Sequence, residues 1–341
     1  MLILRLSALG DVLHSLPALE ALRQLWPTAR FDWVAESLAA SVLEGHPSLC
    51  RLLCFPRKRW QARLRHLRQW GAVAEEWQQF YSNLRQERYD LLIDFQGNAR
   101  STLLGTTARW RRKITHHRTE TQDLARWWPA LRPPTPSGNV HRVEKNLHLV
   151  RALGWEGSAP PGRLPEFAEE RARLQGSGLA PSPVVLHPFV SAFGRFKEWP
   201  AQFYVELAIQ LAERDWPVVI TWARGDHDAA QGIVESCHGA AALAPPSNSL
   251  REVAALLTLA RAVVAADTGI LHLAALAGRP VVGLYGPKDP RRYGPWTPQK
   301  RVLRGAVPCS PCTLRQCEHA ICMQTIASQA VAHSLAELLK E

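Results

Sequence analysis

Short apolar runs alternate with stretches of helical periodicity along the first half of the chain. The apolar runs predict strands at 2–6, 30–35, 51–55 and 89–95, and helical patterns lie at 15–25, 61–86 and from 99 to 106. Strand and helix in alternation are typical of a parallel sheet that carries helices on both faces.

A segment rich in Pro and Gly, 154–165, interrupts this pattern and predicts a linker. The alternation then restarts, with strands predicted at 183–187, 218–222, 262–266 and 281–285. The fold class is therefore α/β, with two Rossmann-like αβα domains, 1–160 and 161–325, that face each other across a cleft. A last helix, within 326–341, is expected to pack back on the first domain.

Composition places the chain among globular proteins. Of its 341 residues 46% are apolar, and no apolar run approaches the roughly 18 residues of a membrane-spanning helix. The Leu-rich segment 1–19 is interrupted by Asp11 and His14 and lacks a small-residue cleavage site, so we do not interpret it as a signal peptide. Seven cysteines, four of them clustered, are not a secreted disulfide framework, which favours the cytoplasm.

The positive charge is concentrated in the first half. Residues 1–165 carry 24 Lys and Arg against 14 Asp and Glu, whereas 166–341 carry 17 against 16. This asymmetry indicates an anionic partner for the first half, which could be nucleic acid, an anionic membrane or an acidic acceptor. The run 57–70 holds six of these cations together with Trp60 and Leu64, and it suits acidic lipid or nucleic acid. A solvated helix face is the alternative.

The segment DTGILH at 267–272 carries the clearest chemical signal. It joins a buried strand to a helix, the place where open α/β sheets bind ligands. Free N–H groups and the helix dipole hold phosphate there, and Gly269 lets the backbone come close.

Two more strand ends carry polar side chains in the second domain. His187 ends a strand and is followed by Ser191 and by Lys197, which could hold a phosphate as a point charge. Asp226 follows the next strand and could bind a ribose hydroxyl. A surface lysine and a helix cap are the structural alternatives, but three such loops in one domain favour a nucleotide site.

Asp11 follows the first strand, next to Gly10, so its carboxylate could act as general base toward a substrate hydroxyl. The alternative is a helix N-cap. Near the other end of the chain, four cysteines are spaced C-x2-C-x4-C-x4-C. They could hold a structural zinc or iron ion, or remain free thiols or a local disulfide: Cys309, Cys312, Cys317 and Cys322. No Walker A loop, G-x-G-x-x-G or G-x-S-x-G motif is present, which disfavours P-loop enzymes, dehydrogenases and hydrolases of that type.

Taken in order, RLSALGDVLHSLPAL at 5–19, DTGILHL at 267–273 and GLYGP at 283–287 resemble glycosyltransferase family 9, the lipopolysaccharide heptosyltransferases. The resemblance spans nearly the whole chain. Segments FDWVAE at 31–36, IDFQG at 93–97 and HRVE at 141–144 are most similar to the heptosyltransferase I branch.

This resemblance implies a GT-B fold and inverting transfer of L-glycero-D-manno-heptose from ADP-heptose to Kdo of Kdo–lipid A. It implies no cofactor and no catalytic metal, with Asp11 as the base. It also implies a peripheral protein on the anionic cytoplasmic face of the inner membrane, and no nucleic acid is expected. The implied donor-binding residues are Ser191, Lys197, Asp226, Asp267, Thr268, Gly269 and His272. The implied acceptor-binding residues are Ser7, Gly10, His14, Lys58, Arg59 and Arg63.

Two alternatives stay open at this point. One is heptosyltransferase II, or another family 9 transferase with a different acceptor. The other is a non-enzymatic module that binds a nucleotide or nucleic acid, which the carboxylate of Asp11 beside the expected cleft disfavours.

Overall fold

The structure is a computed structural model that describes residues 1–120, 123–134, 136, 138–312, 314 and 316–340. The chain divides into two compact units, Met1–Glu166 and Phe167–Glu341. Each unit contains its own parallel sheet, as the two rounds of strand and helix alternation predicted.

The first unit is built on five parallel strands in the order β3-β2-β1-β4-β5. Their bounds are β1 Leu2–Leu4, β2 Asp32–Glu36, β3 Arg51–Phe55, β4 Arg88–Asp94 and β5 Arg109–Thr115. The helices are α1 Leu9–Leu13, α2 Leu16–Leu25, α3 Ser37–Leu43, α4 Arg57–Arg63, α5 Trp70–Arg85, α6 Ala99–Thr107 and α7 Arg142–Arg151. The central strand β1 is buried along its whole length, as expected for a parallel sheet covered on both faces.

The helix predicted over 61–86 is two helices in the structure. Helix α4 ends at Arg63, a 3-10 turn covers Leu67–Gln69, and α5 begins at Trp70. Trp60 is buried, but Leu64 is 46% exposed, so the helical spacing of these two residues does not form one buried face. The periodicity was correct for α5, and the turn before it was missed.

The second unit is built on six parallel strands in the order β11-β10-β9-β6-β7-β8. Their bounds are β6 Val184–His187, β7 Val218–Ile220, β8 Ala242–Leu243, β9 Ala262–Ala266, β10 Val281–Tyr285 and β11 Lys300–Arg304. The helices are α8 Ala168–Gln175, α9 Ala201–Ala212, α10 His227–Ser236, α11 Leu250–Leu259, α12 Gly269–Leu276, α13 Pro290–Tyr293, α14 Ile321–Gln324 and α15 Ser328–Leu338.

The last helix, α15, packs against elements of the second unit, and its expected packing on the first domain stays a prediction. Its buried side chains, among them Val331 and Leu335, belong to the core cluster of the second sheet, and α15 contacts α9, β10 and β11. Ser328 adds a polar tie, because its Oγ donates to Glu206 Oε2 on α9 at 2.5 Å. Burial of this apolar face against α9 fixes the helix there.

Strand order reverses at one point in each sheet, between β1 and β4 and between β6 and β9. At such a switch point the connections leave in opposite directions and open a crevice at the carboxyl ends of the strands, where α/β folds bind ligands. Within the described residues, no helix combines the length and apolar character needed to cross a bilayer.

Candidate functional site

A lysine and an aspartate meet at the switch point of the second sheet. Lys197 ends the 3-10 turn that follows β6, and Asp267 directly follows β9. Lys197 Nζ donates to Asp267 Oδ2 at 2.6 Å and to Asp267 O at 3.2 Å. The side chain of Lys197 is 20% exposed and that of Asp267 is 11% exposed. The sequence predicted both residues as donor ligands, and the structure brings them together.

Asp267 is held as a carboxylate. Burial would raise its pKa, but the hydrogen bond to His272 and the charges of Lys197 and His272 outweigh burial and lower it. His272 Nε2 lies 3.5 Å from Asp267 Oδ1, and its side chain is 5% exposed. This contact can help to orient the Asp267 carboxylate.

Thr268 and Gly269 form the amino end of α12, which begins at Gly269 with Thr268 as its N-cap. The Thr268 hydroxyl is buried and makes no hydrogen bond within the described part of the chain, nor does it cap the helix. A buried hydroxyl beside free helix N–H groups is an arrangement that binds phosphate oxygens. Lys197 supplies the positive charge next to it.

Three other polar residues of the second unit also come from the predicted strand ends. His187 Nδ1 is 2.9 Å from Thr221 Oγ1, and burial lowers the pKa of His187 to about 4, so the ring is neutral at physiological pH. Ser191 is exposed at the start of the 3-10 turn, and its side chain makes no hydrogen bond among the described residues. Asp226 occupies the N-cap position of α10, but its side chain makes no capping hydrogen bond, so its carboxylate is available to a ligand.

Asp11 lies at the switch point of the first sheet, in the first turn of α1. It is not the N-cap, a position that Ala8 occupies. Arg5 Nη2 contacts Asp11 Oδ2 at 2.7 Å, and Arg5 Nη1 donates to Phe95 O at 2.5 Å, at the end of β4. The carboxylate of Asp11 is 32% exposed. Arg5 thus links Asp11 to the residue that follows β4.

The turn after β4 supports the same loop. Asp94 Oδ1 accepts from the N–H groups of Gln96 and Gly97, and Gly97 has a φ of 64°, a conformation that glycine adopts without strain. Gln96 Oε1 in turn accepts from Leu6 N at 2.7 Å and from Ser7 N at 3.4 Å. The backbone around Ser7 is therefore fixed by contacts from the turn after β4.

Glu36, at the end of β2, contacts the predicted acceptor ligand Ser7 and was not itself predicted from the sequence as a candidate site residue. It is 7% exposed. Arg57 donates to both its oxygens, at 2.6 and 3.0 Å, and Arg100 Nη1 and Ser7 Oγ each lie 3.5 Å from Oε1. One carboxylate thus gathers two guanidinium groups beside Ser7. Its position at the carboxyl end of a parallel strand was the signal that could have found it.

The basic run is partly neutralised by one carboxylate. Arg59 and Arg63 on α4 and the Trp60 Nε1 all donate to Glu76 on α5, each at 2.6 Å. These bonds hold α4 against α5 and lower the pKa of Glu76, with the Trp60 bond as the largest cause. Lys58 is exposed and makes no ion pair within the described chain. Of the three predicted acceptor cations, Lys58 is the one without a protein counter-charge.

His14 differs from the other predicted acceptor ligands because it faces inward. Its side chain is 5% exposed, and its ring packs edge-on against His141 at 5.3 Å between centroids. Ser7, in the loop after β1, and Gly10, in the first turn of α1, are half-buried. The structure therefore gives Ser7 and Gly10 access to a ligand and places His14 in the packing beneath them.

The four clustered cysteines near the carboxyl terminus are free thiols. Cys322 is buried, and burial together with the charges of Cys309, Cys312 and Cys317 raises its pKa. Within the residues that the structure describes, no three His, Cys, Asp or Glu side chains are placed to hold a metal ion. The zinc or iron site at these cysteines stays a prediction.

Known proteins resemble this arrangement over the whole chain. A family model described as "Glycosyltransferase family 9 (heptosyltransferase)" matches residues 77–322. Lipopolysaccharide heptosyltransferase 1 of Pseudomonas aeruginosa is 31% identical over 328 residues, which cover 93% of this chain and 87% of that protein.

Two solved structures of Escherichia coli heptosyltransferase WaaC share the architecture. The structure with ADP has a TM-score of 0.81 at 26% identity and covers 99% of both chains. The structure with ADP-2-deoxy-2-fluoro heptose has a TM-score of 0.77 at 26% identity and covers 98% of both. The fold is accordingly GT-B, with two Rossmann-like αβα units.

Proposed function

Because the chain belongs to glycosyltransferase family 9, the heptosyltransferases, we propose that it transfers L-glycero-D-manno-heptose from ADP-heptose to Kdo of Kdo–lipid A. The observation that carries this proposal is the Lys197–Asp267 ion pair beside the amino end of α12. That group suits a nucleoside diphosphate sugar, and the solved relatives contain ADP and an ADP-heptose analogue.

The second unit holds the donor in this proposal. Lys197, Thr268 and the N–H groups that begin α12 bind the diphosphate, and Asp226 takes a ribose hydroxyl. When donor phosphate arrives, Lys197 shares its ammonium group between Asp267 and the phosphate. Asp267 therefore keeps the lysine directed toward the ligand before binding.

The first unit activates the acceptor. The Asp11 carboxylate takes the proton of a Kdo hydroxyl as that oxygen attacks the anomeric carbon of the heptose. The bond from this carbon to the diphosphate breaks, its electron pair leaves with ADP, and the configuration inverts. Arg5 is a positioning residue, since it touches Asp11 and not the reacting atoms.

Charge stabilisation at the leaving group supplies the second part of catalysis. The diphosphate gains negative charge as its bond to the sugar breaks, and Lys197 with the α12 N–H groups is already oriented toward it. Such preorganised contacts contribute about 3–4 kcal/mol each to a transition state. No protein rearrangement is then needed at the moment of reaction.

The anionic acceptor explains the charge of the first unit. We assign Lys58, together with Arg57 and Arg100 gathered by Glu36, to the carboxylates and phosphates of Kdo–lipid A. The same charge supports a peripheral position at the cytoplasmic face of the inner membrane, where that acceptor would be met. Nucleic acid is not an expected partner.

Release of ADP tests this function directly. Purified protein is mixed with ADP-heptose, with and without Kdo–lipid A, and ADP is measured. Release that depends on Kdo–lipid A is the expected result. If heptosylated core supports release and Kdo–lipid A does not, the acceptor is that of heptosyltransferase II. If no acceptor supports release and calorimetry detects no ADP-heptose binding, the donor assignment is wrong.

The cysteine cluster enters the proposal only as a structural feature. Because four thiols lie within 14 residues, we propose separately that they bind a structural zinc or iron ion. No reaction step depends on this ion. Elemental analysis of the purified protein, with a variant in which Cys309 and Cys312 are Ser, tests it. Absence of both metals from the purified protein would end the proposal.

A further inference from the structure

The turn between α4 and α5 carries an exposed apolar surface. Leu64 is 46% exposed, Leu67 76% and Trp70 53%. Arg65 and Arg68 lie between them in the chain and are also exposed. We call these five residues the α4–α5 tip. Exposed apolar side chains that occur singly need no explanation, but three within seven residues form a patch of the kind that marks an interaction site.

Ring packing and hydrogen bonds hold together the two helices on either side of the tip. Trp60 packs against Phe55, Trp77 and Phe80 at centroid distances of 5.3, 5.5 and 6.1 Å. The three hydrogen bonds to Glu76 tie α4 to α5 on either side of the turn. The turn itself is closed by Trp70 Nε1, which donates to Leu64 O at 2.9 Å.

The charge of the tip is uncompensated. Residues 56–74 contain six Lys and Arg and no Asp or Glu. Arg57, Arg59 and Arg63 are paired with Glu36 and Glu76. The side chains of Arg65 and Arg68 make no hydrogen bond or ion pair within the described structure. A ligand of this surface must therefore offer apolar volume and negative charge together.

We propose that the α4–α5 tip inserts Leu64, Leu67 and Trp70 into the interface of an anionic lipid bilayer, with Arg65 and Arg68 on the headgroups. The indole of Trp70 and the two leucines match the upper acyl region of that interface, and the neighbouring arginines match its phosphates. Nucleic acid would use the two arginines but not the leucines. The inference rests on the proposed function, because it identifies how the enzyme reaches a lipid-linked acceptor.

Sedimentation with vesicles tests the tip without any substrate. The full chain is mixed with vesicles of phosphatidylcholine alone or of phosphatidylcholine with phosphatidylglycerol, and the bound fraction is measured. Binding to the anionic vesicles is expected to be stronger by about fivefold for each of Arg65 and Arg68. Equal binding to both vesicle types would contradict the charge contribution and overturn the proposal.

The apolar contribution is tested by Leu67→Glu, alone and with Trp70→Glu. Leu67→Glu should weaken binding to anionic vesicles about tenfold and the double variant further, since leucine insertion is lost and a repelled charge is added. Leu67→Phe should bind as the wild type does. Ile209→Glu, at an apolar position of α9 that is 37% exposed, is the matched control and should not change binding. Equal binding by wild type and Leu67→Glu would refute the tip as the docking surface.

Activity separates this proposal from the function itself. With Kdo–lipid A dispersed in detergent, Leu67→Glu should release ADP at the wild-type rate, and it should be slow only when the acceptor is in vesicles. Failure of the wild type in detergent would instead contradict the proposed function. Capture of the wild type by nucleic acid but not by vesicles, or a dimer lost in Leu67→Glu without vesicle binding, would assign the tip to another partner and overturn the proposal.

Discussion

Replacement of Lys197 by Met removes the charge that we assign to the donor phosphates and approximately keeps the length of the side chain. Lys197 Nζ lies 2.6 Å from Asp267 Oδ2 and its side chain is 20% exposed. At about 4 Å and an effective dielectric constant near 20, a cation and a phosphate charge attract by about 4 kcal/mol, an upper limit. A hydrogen bond to a charged group contributes about 1.5–3 kcal/mol.

We therefore expect kcat/KM to fall about a hundredfold, with most of the loss in kcat because the leaving diphosphate gains charge in the transition state. Steady-state ADP release gives both constants, and calorimetry gives the affinity for ADP. Arg195→Ala is the matched control, since Arg195 is an exposed cation of the same 3-10 turn. It should leave kcat/KM unchanged within about twofold.

The same substitution leaves Asp267 with a buried charge and fewer partners, so the variant should also lose about 2 kcal/mol of stability. The double variant Lys197→Met, Asp267→Asn has neither charge and should recover stability without recovering activity. If Lys197→Met keeps kcat/KM within about threefold of the wild type and loses only stability, Lys197 is a counter-ion of Asp267. The role assigned to it here would then be refuted.

Three further predictions concern other parts of the molecule. Asp11→Asn should lower kcat at least a hundredfold and leave the calorimetric affinity for ADP-heptose unchanged, because the proposed base and the proposed donor ligands belong to different units. Turnover near the wild-type rate would show that Asp11 is not the base. Glu36→Gln should raise the acceptor KM about tenfold by releasing Arg57 and Arg100, and a rise in the donor KM instead would contradict its assignment to the acceptor. Burial lowers the pKa of His46 to about 4 from its usual 6.5, so between these pH values the unfolded chain binds a proton that the folded chain lacks, and the free energy of unfolding should rise with pH. His46→Gln should reduce this slope by about 1.4 kcal/mol per pH unit in urea unfolding. An unchanged slope would show that His46 titrates normally.

Strand ends were the part of the site that the sequence could predict. Runs of apolar residues located β9 and β10 at their observed bounds, and the turn after β9 then marked Asp267 and Thr268 without any structure. Parallel strands end at one edge of their sheet, so residues that follow different strands become neighbours. That argument also explains why Lys197, 70 residues from Asp267, was predicted in the same site.

Three strands that lie at the edges of the two sheets, β5, β8 and β11, were not predicted from the sequence. Strand β8 has only two residues, and neither is fully buried. Strands β5 and β11 carry arginines and lysines along much of their length, and both lie at a sheet edge. Edge strands are only half covered and often carry charged side chains. Their sequences therefore lack the apolar run by which the central strands were recognised.

The pairing of charges in the run 57–70 could not be predicted from the sequence, because it depends on distances in the fold and not on composition. Six cations predicted one basic surface, but Glu36 and Glu76, which come from β2 and α5, neutralise three of them. The run thereby separates into Arg59 and Arg63, which tie α4 to α5, Arg57, which pairs with Glu36, and the cations without a counter-charge among the described residues: Lys58, Arg65 and Arg68. A surface ion pair contributes little stability by itself, whereas an unpaired cation keeps its full attraction for an anion. We therefore expect charge reversal at Lys58, Arg65 or Arg68 to change the binding of lipid and acceptor more than the same reversal at Arg59 or Arg63.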